Sequence, residues 1–221
     1  MYIKEIVMCD ESMETTINTD SLFLTEMFQW ELKRKIKTTD CEAVFIHCGN
    51  YKEVSIIREE QEAFSVLVPK KSIDVAVPLD RARYKMASIS DKKNMLANVL
   101  MDALVFLAEK KKWDGATIDD AFRRMHKKKL THYFKPWKKQ PCPKGKRKAY
   151  PMVKLDLDHF VLEVLVEAES KVIQKETILT IDPDFHKLWY YMKELSWISE
   201  TEVALFTRAN KGAYIGIECN Q

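Results

Sequence analysis

The chain has 221 residues, 46% of them hydrophobic and 31% charged, with a formal net charge of +3. That is enough apolar side chain for a sizeable core, and the apolar residues recur with strand and helix periods, which excludes a disordered chain. The short apolar run in MYIKEIVMCDE is broken by Lys4 and Glu5, which excludes a signal peptide or a membrane span there and makes a cytoplasmic protein the expectation.

In chain order, YIKEIVM reads as a first strand, and Thr19, Asp20 or Ser21 as the cap of a helix with Leu24, Met27, Phe28 and Leu32 on one face. EAVFIHC and YKEVSIIRE flank Gly49-Asn50, a pair that tolerates the positive φ of tight turns, and so predict a hairpin. AFSVLVP and SIDVAVPL continue the meander, with Pro69 and Pro78 marking edges or exits. From Ser90 the period lengthens to that of a helix, with Leu96, Val99, Leu100, Ala103, Leu104 and Leu107 in one stripe. Gly115 is the expected stop, and Thr117 with Asp120 the start of a second helix that buries Ile118, Phe122 and Met125.

Pro136, Pro141, Pro143 and Gly145 then predict a loop. MVKLDLDHFVLEVLVEAE and SKVIQKETILTI follow as strands, and FHKLWYYMKELSW as a helix whose Trp189, Tyr190, Tyr191 and Trp197 have the spacing of a core face. TEVALFTR, a turn at Ala209 to Gly212, and AYIGIE form a last hairpin. The expected architecture is one α+β domain over 1–221, with antiparallel sheets in meanders and hairpins, a packed helical pair and further single helices. Its two halves, 1–134 and 151–221, are joined by a basic proline-rich loop at 135–150.

Chemistry-bearing motifs are sparse. P-loop, G-x-G-x-x-G, G-x-S-x-G and H-E-x-x-H patterns are absent, so neither a nucleotide nor another cofactor is expected. Cys9, Cys41, Cys48, Cys142 and Cys219 are odd in number and form no C-x-x-C pair, as reduced thiols would. His47 and Cys48 alternate across a strand, so with Cys41 they make a poor zinc set. Asp158 with Glu169-Ser170-Lys171 matches the carboxylate and E-x-K elements of metal-dependent nucleases, in which Asp158 and Glu169 would hold the cation. The same E-x-K occurs at Glu31-Leu32-Lys33 and Glu109-Lys110-Lys111, so composition alone generates it. His126 and His132 lack a nearby carboxylate in sequence and read as solvated, His126 near a helix end.

Charge is the strongest signal. Ala121 to Leu155 hold thirteen Lys and Arg and no Asp or Glu, so with +3 in total the rest of the chain sums to −10. Arg123, Arg124, Lys127 and Lys128 on the second helix, and Lys138, Lys139, Lys146, Arg147 and Lys148 on the loop, are the candidate binding residues for a partner or polyanion. Such a cluster releases counterions from a phosphate backbone, and Tyr133, Phe134 and Trp137 are placed to stack on bases. It equally steers and orients an oppositely patterned protein. The stretch LANVLMDALVFLAEKKKWDGATIDDAFRRM, a helix, a W-D-G break and a second helix, resembles small bacterial immunity proteins that neutralise polymorphic or contact-dependent toxins. That resemblance implies a non-catalytic inhibitor with a cognate toxin domain as its partner. The alternatives are a nucleic-acid-binding protein working through 121–150 and a metal-dependent nuclease.

Overall fold

The computed structural model describes residues 2–10, 16–32, 36–39, 41–60, 71–208 and 214–219. Its chain divides into two units, Met1–Thr131 and His132–Gln221. The division falls ahead of the basic stretch 135–150, which belongs to the second unit instead of joining two halves.

In the first unit the elements are β1 (Glu5–Asp10), α1 (Ile17–Asp20), α2 (Leu22–Leu32), β2 (Ala43–Gly49), β3 (Ser55–Glu60), β4 (Ser72–Pro78), α3 (Arg81–Met86), α4 (Ile89–Lys111) and α5 (Gly115–Lys127). The sheet order is β1-β2-β4-β3. β1 pairs with β2, and β2 with β4, in parallel, while β3 runs antiparallel to β4. The hairpin expected about Gly49-Asn50 is therefore not formed, because β2 has β1 and β4 as its two neighbours. Gly49 answers a different need: a Cβ there would lie 2.8 Å from Arg81 Nη2. Pro78 ends β4, which is central and not an edge. The strand expected at AFSVLVP lies outside the described residues.

One sheet face is apolar. Ile6, Met8, Val44, Ile46, Ile73, Val75 and Val77 are buried there, and Phe23, Leu24, Met27, Phe28, Leu96, Leu100, Leu104, Ile118 and Phe122 complete the helical side of the core. Phe28 and Phe122 meet at 4.9 Å. α4 ends before its expected stop: Lys112, three residues ahead of Gly115, takes the left-handed conformation (φ 55°), and Asp114, not Thr117, caps α5 by accepting from the Thr117 N–H at 3.2 Å. Gly115 is then the first residue of α5, and the W-D-G break is a cap and not a terminator.

The second unit contains β5 (His132–Phe134), β6 (Gln140–Pro141), β7 (Arg147–Leu155), β8 (Phe160–Ala168), β9 (Lys171–Ile181), α6 (Phe185–Tyr191), β10 (Glu194–Trp197), β11 (Glu202–Phe206) and β12 (Tyr214–Glu218). β5, β7, β8 and β9 form an antiparallel sheet with β6 also on β7, and β10-β11-β12 form a second antiparallel sheet. The whole is α+β.

Three expectations are corrected here. MVKLDLDHFVLEVLVEAE is two strands, because Asp156 to His159 turn the chain, with the Asp156 N–H donating to the His159 carbonyl at 3.0 Å. The aromatic helix stops at Tyr191, and Glu194–Trp197 is a strand. Residues 135–150 are not all loop: β6 and the start of β7 pair Gln140 with Ala149 and Pro141 with Lys148. Proline is tolerated because β6 lies at an edge. Pro151, inside β7, lies level with the interval between the β5 and β6 pairings, where no strand needs its missing N–H. The turn at Ala209 to Gly212 lies outside the described residues, and β11 and β12 pair as expected.

Candidate functional site

The basic residues that are contiguous in sequence separate into two sets. Arg123, Arg124, Lys127 and Lys128 lie on α5 or at its end, in the first unit, and Lys138, Lys139, Lys146, Arg147 and Lys148 lie in the second. On α5 most of this charge is already committed. Arg124 Nε lies 2.9 Å from Glu31 Oε2, its Nη2 donates to the Glu31 carbonyl at 3.0 Å, and Lys128 donates to Glu31 Oε1. Arg123 pairs with Asp120 at 2.5 Å. Glu31 is buried on α2, and burial pushes its carboxyl up. Hydrogen bonds and charge from Lys128 and then Arg124 outweigh that and hold it below the ordinary value.

In the second unit the sheet has one apolar face and one open face. Side chains alternate along β7, so Ala149, Pro151, Val153 and Leu155 face the core, with Leu162, Val164 and Val166 opposite on β8. Lys148, Tyr150, Met152 and Lys154 point the other way and align with Glu167, Leu165, Glu163 and Val161. Tyr133 joins this face opposite Lys154, and Lys175 joins it opposite Leu165. Lys139 Nζ reaches Glu167 at 2.5 and 2.6 Å, and Lys175 reaches Glu163 at 2.7 Å. The ammonium groups of Lys135 and Lys139 sit 4.3 and 5.0 Å from the Tyr150 ring centroid. Five lysines, Lys135, Lys139, Lys148, Lys154 and Lys175, thus border a face whose two glutamates lie low in the sheet.

Arg147 has a different role from its neighbours. Its guanidinium stacks over Trp197 at 5.6 Å and donates to the Glu200 carbonyl at 2.5 Å and to the Cys219 carbonyl at 3.4 Å. Trp197 Nε1 donates to the Gln140 carbonyl at 3.0 Å, and the Cys142 N–H donates to the Arg147 carbonyl at 2.9 Å. These contacts root the β6–β7 turn. Lys144 pairs with Glu200 at 3.0 Å. Lys127, Lys138, Lys146 and Lys148 are exposed, and no partner engages them among the described residues.

No family profile, curated protein or solved structure matches the chain. What it does must therefore be argued from its own groups.

The nuclease arrangement is not assembled. Asp158 lies before β8 and Glu169 beyond its far end, with Lys171 opposite Ala168. At roughly 3.3 Å per residue the nine-residue strand keeps them about 25 Å or more apart. Asp158 instead groups with Asp156 and His159. Lys154 Nζ stands 3.5 Å from Asp156 Oδ2 and 3.1 Å from His159 Nε2, and His159 Nδ1 is 2.6 Å from Asp158. An ammonium can only donate, so His159 Nε2 accepts and its Nδ1–H faces Asp158. His132 is buried, stacked on Phe134 at 5.3 Å, and not solvated as expected. Trp189 and Tyr190 are exposed, with Leu188, Met192 and Leu195 forming the core that their spacing suggested for them.

A further grouping went unread in the sequence. Cys9 on β1 is paired across the parallel ladder with His47 on β2, and Asp74 on β4 lies on the same face. Only the parallel register brings them together, and no short-range pattern signals it. Cys48, on the opposite face, is buried, and that burial pushes its thiol up to about 12. Among the described residues no helix is long and apolar enough to cross a membrane.

Proposed function

We propose that this chain is a non-catalytic protein-binding module of the inhibitor or immunity type, which docks an acidic surface of a cognate toxin domain on the open sheet face of the second unit. The observation that carries the reading is the layering of charge on that face. Glu163 and Glu167 lie low in the sheet, and Lys135, Lys139 and Lys175 arch above them with their directions set by carboxylates or by the Tyr150 ring. Lysines held in this way offer oriented donors to acidic side chains at little further loss of rotamer freedom.

Two features favour a protein over a nucleic acid. A phosphate backbone lying across the face would meet the carboxylates of Glu163 and Glu167, a cost that stacking on the exposed Tyr133 ring has to offset. The rooted turn at Cys142 to Lys146 also holds Lys146 and Lys148 at defined positions, as a surface of fixed register needs.

The test is co-expression with the product of an adjacent toxin-like reading frame. The expected result is a one-to-one complex and restored growth, both lost when Lys138, Lys146 and Lys148 are changed to Glu. Tight binding to a mixed-sequence oligonucleotide with a steep salt dependence, together with no complex with the toxin domain, would overturn the reading in favour of nucleic acid.

A further inference from the structure

The face of the first unit's sheet opposite its apolar one carries a row of three functional side chains. Cys9 Sγ lies 3.5 Å from His47 Nδ1, and His47 Nε2 lies 3.3 Å from Asp74 Oδ2. Arg58, on β3, donates to the same carboxylate oxygen from Nε at 3.2 Å and from Nη2 at 2.7 Å. Cys9 also approaches the Ile46 carbonyl at 3.6 Å. The side chain of Asp74 is 5% exposed and that of His47 20%, so the group is buried at its acid end and opens toward the imidazole, where Cys9 is half-buried. Cys9 is half-buried, whereas Cys41, Cys48, Cys142 and Cys219 are all buried.

The nearby carboxylate favours the tautomer with its proton on Nε2, although the 3.3 Å approach is not aligned as a hydrogen bond, and that tautomer leaves the Nδ1 lone pair directed at the thiol. The ladder places Val7, Phe45, Ala76 and Ser55 around the pair, and the charged groups on its face include Asp74, Arg58 and, two residues before Val7 on β1, Glu5; Asp10 and Arg81 lie on the other side of the sheet. Acyl transfer would further require donors for an oxyanion. Exchange with a disulfide requires only a thiolate, a proton acceptor and access to the sulfur, and this face supplies all three.

We propose that Cys9 is a reactive thiol that exchanges with a small disulfide, with His47 as its base and Asp74 as the residue that positions His47. The Sγ–H proton passes to His47 Nδ1, and the thiolate attacks one sulfur of the disulfide. A bond forms between Cys9 Sγ and that sulfur while the original S–S bond breaks. The departing thiolate takes the proton back from the imidazolium, so one thiol is consumed and one released, with no net oxidation. Cys48 cannot resolve the product, because it is buried on the opposite face.

The test treats the native chain with oxidised glutathione, and separately with iodoacetamide, across pH 5 to 9, and maps the adducts by mass spectrometry. One adduct, at Cys9, is expected, with a rate midpoint at least a full pH unit below the ordinary thiol value of about 8.5. His47→Gln is expected to slow the reaction at pH 6.5 by about tenfold and to return the midpoint to the ordinary value, and Asp74→Asn to do so in part. A wild-type midpoint near 8.5, or adducts at the buried cysteines as fast as at Cys9, would overturn the proposal whether or not the variants fold.

Discussion

The two units treat charge in opposite ways. In the first, acids go inside and donors come to them: Asp10 is held by Arg81 at 2.6 Å, Asp20 accepts from the Tyr84 hydroxyl at 2.7 Å, and Glu31 is clasped by Arg124 and Lys128. In the second, carboxylates sit at the foot of an open sheet and lysines stand above them. The contrast separates charges paired inside a fold from charges held at its surface. Buried pairs are expensive to break from one side, and exposed ones contribute little to stability.

The largest effect should follow from Arg81→Ala. The Asp10 side chain has 0% exposure, so the substitution takes the guanidinium from a carboxylate that cannot reach water, and about 3–5 kcal/mol of unfolding free energy should be lost. Asp10→Asn should cost clearly less, because Arg81 is 23% exposed and can turn outward. Equal losses in urea denaturation would show that this pair is not the buried kind and would blur the contrast between the units. Next comes Arg147→Ala, which removes the stack on Trp197 and two bonds to carbonyls. A loss of about 1–3 kcal/mol is expected, with faster hydrogen exchange at the Cys142 amide, whose bond closes the turn. An effect near zero would return Arg147 to the set of residues free to bind.

Arg147 also shows how far the sequence could be read. Its place in a dense basic run made it look like its neighbours, and only Trp197, fifty residues on, distinguishes it. The α+β class, α2, the stripe of α4, β9 and the closing β11–β12 hairpin were legible because periodicity is a local property. Pairing is not local. Gly49-Asn50 has the composition of a hairpin turn, yet β2 pairs with β1 and β4 in parallel, and that same register joins Cys9 to His47. For the candidate site, the residue types of the second unit's basic region were visible, but the open face was not. It depends on the turn at Asp156 to His159, hidden inside a continuous apolar run, which sets Lys148 and Lys154 beside Glu167 and Val161.

A smaller effect is expected at Glu31. Its carboxyl is held below its usual value of 4.5, so what it adds to stability is complete above about pH 4.5 and lost as pH falls through the lower folded value. Glu31→Gln should cost about 1 kcal/mol at neutral pH, discounted because Arg124 and Lys128 are 39% and 45% exposed. The difference from wild type in urea midpoint should stay level from pH 7 to 5 and close below 4.5. A gap that persists at pH 3 would mean that Glu31 acts through packing and not through charge.

The smallest expected effect sharpens the comparison most. Changing Lys138, Lys146 and Lys148 together to Gln removes three ammonium groups that have no partner among the described residues, so stability should move by less than about 0.5 kcal/mol. Lys139→Gln, by contrast, leaves Glu167 without its counterion low in the sheet and should be measurably destabilising. If the triple variant is neutral in urea yet abolishes the proposed complex with a toxin domain, its charge serves recognition alone. If it unfolds as readily as Lys139→Gln, the second unit uses its lysines as the first uses its arginines, and the division between structural and binding charge fails.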